Sequence, residues 1–443
     1  MEVRIVSREL IRPSSLATDQ HEKPHKLSLF DQLTPATYVP FIFFYTMKAI
    51  SLDTIHVRAH LRKSLSETLA IYYPLSGRTS DNKFLHNFNE GVPFVEALVN
   101  CRLTDFLKHH EIESLNHLIA CQPCTKELIT SPVVTVQLNM FTCGGIAVGV
   151  SVSHKIVDGQ TLKAFINSWA AISRGNPGDV VQPDLNETSL FFPPRDSFPR
   201  NHMSLMENLW FEEDNYVTRR FVFDAKAIAT LKAKSKVKPE AKPTTIEVLT
   251  CFIWKSGMNA SKAITVSPKA SILVEALNLR PRTKPPMSSA FIGNVFWWAI
   301  AVANPSDTNT ELAELVDLLH ESIALYNTDF THALQGDSGF EAISEFCNQL
   351  EELFSTEKPD IFAFTSWLHI GLHQLNFGWG EPIWFANIGK AGPAFRNLTV
   401  FVETKDGKGI EAWITMDEKR MSILEKDVEF LAFAHPNKKI SSL

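Results

Sequence analysis

Residues Gly149–Phe165 read GVSVSHKIVDGQTLKAF, and this stretch decides the fold class. A valine-rich apolar run ends at Ser153. Helical spacing begins at Gly159 and continues through Leu162, Phe165 and Ile166. Short apolar runs with β-branched residues read as buried strands, and apolar positions three and four apart read as one helix face. The passage is therefore strand, loop, helix, with His154 and Asp158 at the strand's end. Side chains at such edges are often the ones displayed for function. A histidine there suits base catalysis because its ordinary pKa lies near physiological pH. Taken alone it is weak evidence, since a histidine at a core edge is more often packed than catalytic. Of the fifteen histidines, only His154 has an aspartate four residues later.

Working outward, Val133–Phe141 and Ile146–Val152 read as two strands of a hairpin turned by Cys143-Gly144-Gly145. Val3–Ile11 and Val39–Tyr45 read as further strands. Leu52–Tyr72 has helical periodicity, with Asp53 as its N-cap and Pro74 as its stop. After the helix Gly159–Ile172 comes Asn176–Pro199, polar and proline-rich. A loop of that length inside one compact domain is unusual, so a domain boundary is placed there. Downstream, strands are expected at Arg220–Phe223, Ala270–Leu277, Phe296–Val302, Leu398–Val402 and Glu411–Met416. Helices are expected at Ala225–Lys234, Thr244–Met258 and Glu311–Leu325. The 443 residues exceed what one core usually serves. The expectation is two α/β domains of mixed sheets and helices, residues 1–200 with His154 and Asp158, and 201–443 with Arg280 and the Asn376–Gly380 loop.

Composition narrows the function classes. The net charge is −6 and charged residues make up 21 %, so no basic footprint for nucleic acid is expected. The lysine run from Lys226 to Lys242 reads first as a solvated linker and second as a landing strip for a phosphorylated ligand. No stretch approaches the length of a membrane span or a signal peptide. A cytoplasmic chain is expected, with Asn186, Asn259 and Asn397 accidental sequons and the six cysteines reduced. Cys121 and Cys124 form one C-x-x-C without the second pair a zinc site needs, so no metal is expected.

Two further segments carry chemistry. Asn376-Phe377-Gly378-Trp379-Gly380 precedes Glu381-Pro382. Its glycines and proline exclude a helix and make a shaped aromatic loop, which by itself names no reaction. Glu275–Arg282 (EALNLRPR) ends a strand, and Phe291–Asn294 (FIGN) follows. Arg280 can pair bidentately with a carboxylate. An Asp158–Arg280 pair would join the two halves beside His154; two surface arginines are the plain alternative.

SHKIVDG at Ser153–Gly159, LNLRPR at Leu277–Arg282, FIGN at Phe291–Asn294 and NFGWG at Asn376–Gly380 stand in this order, with KLSLFDQ at Lys26–Gln32 and YYPLSGR at Tyr72–Arg78 before them. Together they resemble the BAHD family of plant acyl-CoA-dependent acyltransferases, and within it the vinorine-synthase-like group, over essentially the whole chain. The resemblance implies a chloramphenicol-acetyltransferase-like fold of two similar domains with a channel between them. It implies transfer of an acyl group, acetyl in preference, from acyl-CoA to a hydroxyl of an alkaloid or terpenoid. His154 would be the general base and Asp158 would turn away to pair with Arg280. Gly159, Asn376, Gly378 and Trp379 would support the site. Lys255, Asn278 and Asn294 would contact CoA, and Phe291 and Trp384 would line the substrate channel. Trp379 or Trp384 would be a donor to the oxyanion. Phe296, Trp297 and Trp298 would narrow an acyl pocket or fill the core. The implied partners are acyl-CoA as co-substrate, with no resident cofactor, and a small alcohol; a monomer is expected. The family's loop usually opens with aspartate where this chain has Asn376, which keeps the shape and loses the charge.

Other classes fit less well. A serine hydrolase wants G-x-S-x-G, and Gly149-Val150-Ser151-Val152-Ser153 lacks the closing glycine. No G-x-G-x-x-G after a strand and no G-x-x-x-x-G-K-[ST] is present. An inactive small-molecule-binding protein on the same fold is the remaining alternative.

Overall fold

The strand that precedes His154, Ile146–Ser153, is buried at every position. A strand with no polar face must be covered on both sides, so it belongs inside a sheet with layers above and below. The computed structural model bears this out. It describes residues 1–16, 23–46, 54–79, 81–109, 111–123, 131–185, 187–199, 202, 205–207, 214–235, 243–265, 269–304, 311–356, 358–387, 389 and 396–436. Asp53, Cys124, Asn186 and the lysines from 236 to 242 lie outside these residues.

The strands in chain order are β1 (Val3–Ile11), β2 (His25–Lys26), β3 (Tyr38–Tyr45), β4 (Arg78–Thr79), β5 (Phe84–His86), β6 (Val92–Val99), β7 (Val134–Phe141) and β8 (Ile146–Ser153). The later ones are β9 (Tyr216–Phe223), β10 (Ser271–Asn278), β11 (Phe296–Ala303), β12 (Asp360–Ser366), β13 (Trp384–Ala386), β14 (Leu398–Glu403), β15 (Ile410–Asp417) and β16 (His435–Pro436). One sheet has the order β1-β6-β7-β8-β3-β13 and a second β11-β10-β12-β14-β15-β9-β16; β2, β5 and β4 form a small third. Both large sheets are mixed: β6 and β7 run parallel, as do β10 and β12 and β12 and β14. The hairpin expected around Gly144 is the β7–β8 pair, with Val136 opposite Val150.

The two halves are stitched together. β13 lies late in the chain yet extends the first sheet by pairing with β3, Trp384 opposite Phe44. Trp384 stacks at 6.3 Å on Trp413 of the second sheet. The Arg220 guanidinium sits over both rings, 5.1 and 5.7 Å from their centroids, in reach of a cation–π attraction. The Asn176–Pro199 stretch holds a short helix, Glu187–Phe191, and a bridge from Asp184 to Phe291. Among the described residues no helix is long and apolar enough to cross a membrane.

Candidate active site

His154 directly follows β8 and its backbone N–H donates to the Thr37 carbonyl at 2.8 Å. Four residues on, Asp158 caps the helix Gly159–Ser173 by accepting from the Thr161 N–H at 2.9 Å. The cap turns the Asp158 carboxylate inward, where Arg280 meets it at 2.5 and 3.3 Å. The same carboxylate accepts from the Val295 N–H at 3.1 Å. Burial acts to raise the Asp158 carboxyl, but Arg280 and these hydrogen bonds hold it below its usual value. Arg280 also donates to the carbonyls of Phe291 and Gly293, at 3.0 and 2.9 Å. The carboxylate and guanidinium are both buried and nearly filled with partners, the condition under which a buried ion pair is tolerated. Removing one partner would strand the other's charge.

The turn Phe291–Asn294 lies under His154. Gly293 has φ +119°, and a Cβ there would stand 3.1 Å from Thr188 Cγ2 and 3.3 Å from Asp31 Oδ2. Conformation and space both call for glycine. Asn294, fully buried, uses its Nδ2 twice, donating at 2.8 Å to Asp31 Oδ1 and at 2.8 Å to the His154 carbonyl. Both partners are acceptors, so the amide orientation is fixed. Its Oδ1 is then the atom that lies 3.2 Å from His154 Nδ1, and that contact needs the imidazole proton on Nδ1. The other nitrogen, Nε2, keeps its lone pair. Burial pushes the His154 pKa below its ordinary value, partly offset by Asp158 and Asn294, which favours the neutral ring.

Asp31 is the anchor of this arrangement. Ser28 and Asp31 form a capping box at the helix Leu29–Leu33. Asp31 Oδ2 accepts from Ser28, and Oδ1 takes the Asn294 N–H at 2.7 Å besides the side-chain amide. Burial raises its pKa to about 6, with those bonds pulling the other way. Lys155, next to His154, is spent on the carbonyls of Asp31 and Gln32, and its pKa is lowered to about 8 by burial.

His154 forms part of the wall of a cavity with about 990 Å³ of empty space, its mouth included. The wall is otherwise mostly apolar, with Phe41, Val152, Leu162, Phe296, Trp298, Phe364, Trp367, Leu398 and Val400. An apolar wall with a few polar groups suits a small organic molecule. Phe296 stands 5.3 Å from the imidazole, ring to ring. Strand alternation sorts the aromatic trio of β11: Phe296 and Trp298 face the cavity, and Trp297 turns to the core against Phe30.

The structure thus brings His154, Asp158, Gly159, Arg280, Phe291 and Asn294 into one neighbourhood. Asn294 supports His154 from below, where CoA contact was expected. Asn278 Oδ1 accepts the Arg280 backbone N–H at 3.1 Å, and Phe291 packs on Phe191; neither is among the residues lining the cavity. Trp384, expected in the substrate channel, is instead stacked between Phe44 and Trp413. Trp379 packs on Tyr45, His60 and Phe377, and neither tryptophan is among the residues lining the cavity. Lys255 lies on the helix Thr245–Ile264, 4.0 Å from Glu311. Asn376 Oδ1 accepts the N–H groups of Gly378 and Gly380 at 2.8 and 3.0 Å. Sequence reasoning missed Asp31, Thr365, Trp367 and Asn387. Ser28-x-x-Asp31 is a readable helix start; nothing local distinguishes the other three.

The sequence profile described as the Transferase family matches residues 1–431. Akuammiline synthase 2 of Alstonia scholaris is 37 % identical over 99 % of this chain and 98 % of its own. A limonoid 7-O-acetyltransferase of Citrus sinensis is 36 % identical over 98 % of both. The crystal structure of vinorine synthase superposes with a TM-score of 0.83 at 31 % identity, covering 99 % of this chain and all of that one. With a whole-length profile, whole-length relatives and the shared two-sheet fold, the chain belongs to the BAHD branch of the Transferase family and is an acyl-CoA-dependent O-acyltransferase.

Proposed function

We propose that this enzyme transfers an acetyl group from acetyl-CoA to a hydroxyl of an alkaloid or terpenoid, with His154 as general base. One observation carries the base assignment: an imidazole on the cavity wall whose Nδ1 faces the side-chain oxygen of an asparagine that is itself locked by Asp31. Relatives described as an akuammiline synthase and a limonoid acetyltransferase support the acceptor class. The acetyl donor is supported by the second of those names.

Acyl-CoA and the alcohol bind together. Nε2 of His154 takes the hydroxyl proton as the oxygen attacks the thioester carbonyl carbon. The carbonyl π electrons move to oxygen and return as the C–S bond breaks. The imidazolium then hands its proton to the departing thiolate, and the ring is neutral again. No acyl-enzyme forms. Asn294 keeps the same hydrogen bond through both charge states, so the ring need not move between the two proton transfers. Asp158 takes no part in them; it fixes the loop between β8 and the helix.

The test is CoA thiol release from acetyl-, longer acyl- and aroyl-CoA with a panel of alkaloid and terpenoid alcohols. Release that depends on alcohol and falls about 10²–10⁴-fold in His154→Ala, with unchanged melting, is the expected result. Full activity in His154→Ala overturns the base assignment. Silence of the folded wild type with every donor and acceptor overturns the substrate classes and favours ligand binding without transfer.

A further inference from the structure

Among the polar side chains of the cavity wall that the mechanism above does not use, one is a buried donor without a partner. Asn387 directly follows β13 and lines the cavity together with Phe41, Trp367 and His154. It is only 2 % exposed. Its Nδ2 nevertheless has no hydrogen-bond partner among the described residues. Most buried donors are satisfied, and a donor left unmade costs free energy comparable with a lost hydrogen bond. Thr37 and Thr365 also line the cavity, and three further polar wall groups are held inside the protein. Thr34 Oγ1 donates to the Phe30 carbonyl, Asp158 is held by Arg280, and His154 Nδ1 is held by Asn294.

The strand that leads into Asn387 is anchored. β13 is hydrogen-bonded to β3, with Ala386 opposite Ile42. Phe385, two positions before it, packs on Phe41, Phe43 and Trp367. A donor fixed at a strand end and surrounded by hydrocarbon gives orientation rather than mere solubility.

We propose that Asn387 Nδ2 donates a hydrogen bond to a second oxygen of the acceptor, a ketone, ester or lactone carbonyl remote from the hydroxyl that reacts. The residue thereby selects multi-ring alcohols with two oxygen functions over those with one. This rests on the reading that the cavity beside His154 holds the acceptor alcohol. A site built to hydrogen-bond an oxygen rejects the analogue without it, because the buried donor is then left unpaired. An apolar wall alone would give the opposite preference.

The experiment uses two matched pairs: 5α-androstan-3β-ol with its 17-ketone, and 5α-androstan-17β-ol with its 3-ketone. Binding to the whole protein is followed by quenching of tryptophan fluorescence, without acyl-CoA, and thiol release is measured in parallel. Wild type is expected to bind the ketone of at least one pair about tenfold tighter than its partner, in line with one buried hydrogen bond. Asn387→Leu should abolish that preference and bind the plain alcohol as well or better. Asn387→Asp, which replaces the donor by an acceptor, should reverse it. Wild type binding both members of each pair equally, or binding none of them, overturns the proposal whatever the variants do. A preference that persists in Asn387→Leu also overturns it. So does a loss of kcat common to all alcohols with binding unchanged, which would place the donor at the thioester oxygen instead. Tight, Asn387-dependent binding without thiol release would leave this proposal standing and overturn the acetyl-transfer reading alone.

Discussion

The His154 centre and the Asn376–Gly380 loop both stand out in the sequence, and they are built on opposite principles. At the centre, bonds join residues far apart in the chain: Arg280 to Asp158 across 122 positions and Asn294 to Asp31 across 263. The partners are buried, and Arg280 and Asp158 form an ion pair. At the loop, the half-buried Asn376 side chain reaches only two and four residues along the chain, to exposed N–H groups, with a neutral amide. A buried charge has no substitute for its partner, whereas an exposed backbone N–H can turn to water. Loss of a single group should therefore be expensive in the first region and cheap in the second.

The strongest way to break the comparison is to strand a charge. Asp158→Ala leaves the Arg280 guanidinium buried without a carboxylate and removes the helix cap. The expected cost is about 3–5 kcal/mol, read as a lower urea midpoint, with activity falling because the loop before the helix loosens. The double variant Asp158→Leu/Arg280→Met should recover much of that stability, because no lone charge remains. A single variant as stable as wild type would mean that the pair is not the clamp its geometry describes.

The second prediction concerns protons. Burial lowers the His154 pKa, so the neutral base persists to lower pH than an ordinary histidine would allow. The rate constant kcat/KM should rise with pH to a plateau, with a midpoint below that of an ordinary histidine. Below the midpoint it should fall about tenfold per pH unit, as for one required base. Since the Asn294 hydrogen bond raises that pKa, Asn294→Leu should move the midpoint further down. A midpoint above 7 in wild type would place the titrating group elsewhere.

How much of this was legible depended on distance along the chain. Strand Val3–Ile11 and helix Ala225–Lys234 are written in local periodicity and occur where the pattern puts them. The helix Gly339–Thr356 and strand Asp360–Ser366 went unread, although Phe340, Ile343, Cys347 and Leu350 keep helical spacing. β13 is three residues long and has no period to read; only its pairing with β3 defines it. The site divides in the same way. His154 and Asp158 sit in one local pattern. Asp31 shows a helix start in its sequence, but its grip on Asn294 is a product of folding. Asn387 has no local mark, because its setting is made by strands that meet from both halves of the molecule.

The smallest expected effect is the sharpest test of the loop. Asn376 holds the loop through a carbonyl-type oxygen, which aspartate would supply equally. Gly378 and Gly380, at φ +115° and +105°, set the path that lets both N–H groups converge on that oxygen. The nearby cation, Arg174, is already engaged. It donates to the Asn376 carbonyl at 2.6 Å and lies 3.6 Å from Asp179. Aspartate at 376 would add a charge in solvent, where such pairs are worth about 0–1 kcal/mol. Asn376→Asp should therefore shift stability by less than about 0.5 kcal/mol, as most surface changes do, and leave thiol release within about twofold. Asn376→Ala removes the acceptor and should cost about 1 kcal/mol, still far less than Asp158→Ala. If Asn376→Asp instead raised activity tenfold, the loop would be coupled electrostatically to the centre. Its charge would then belong to the same buried economy as Asp158 and Arg280, and the contrast between the two regions would fail.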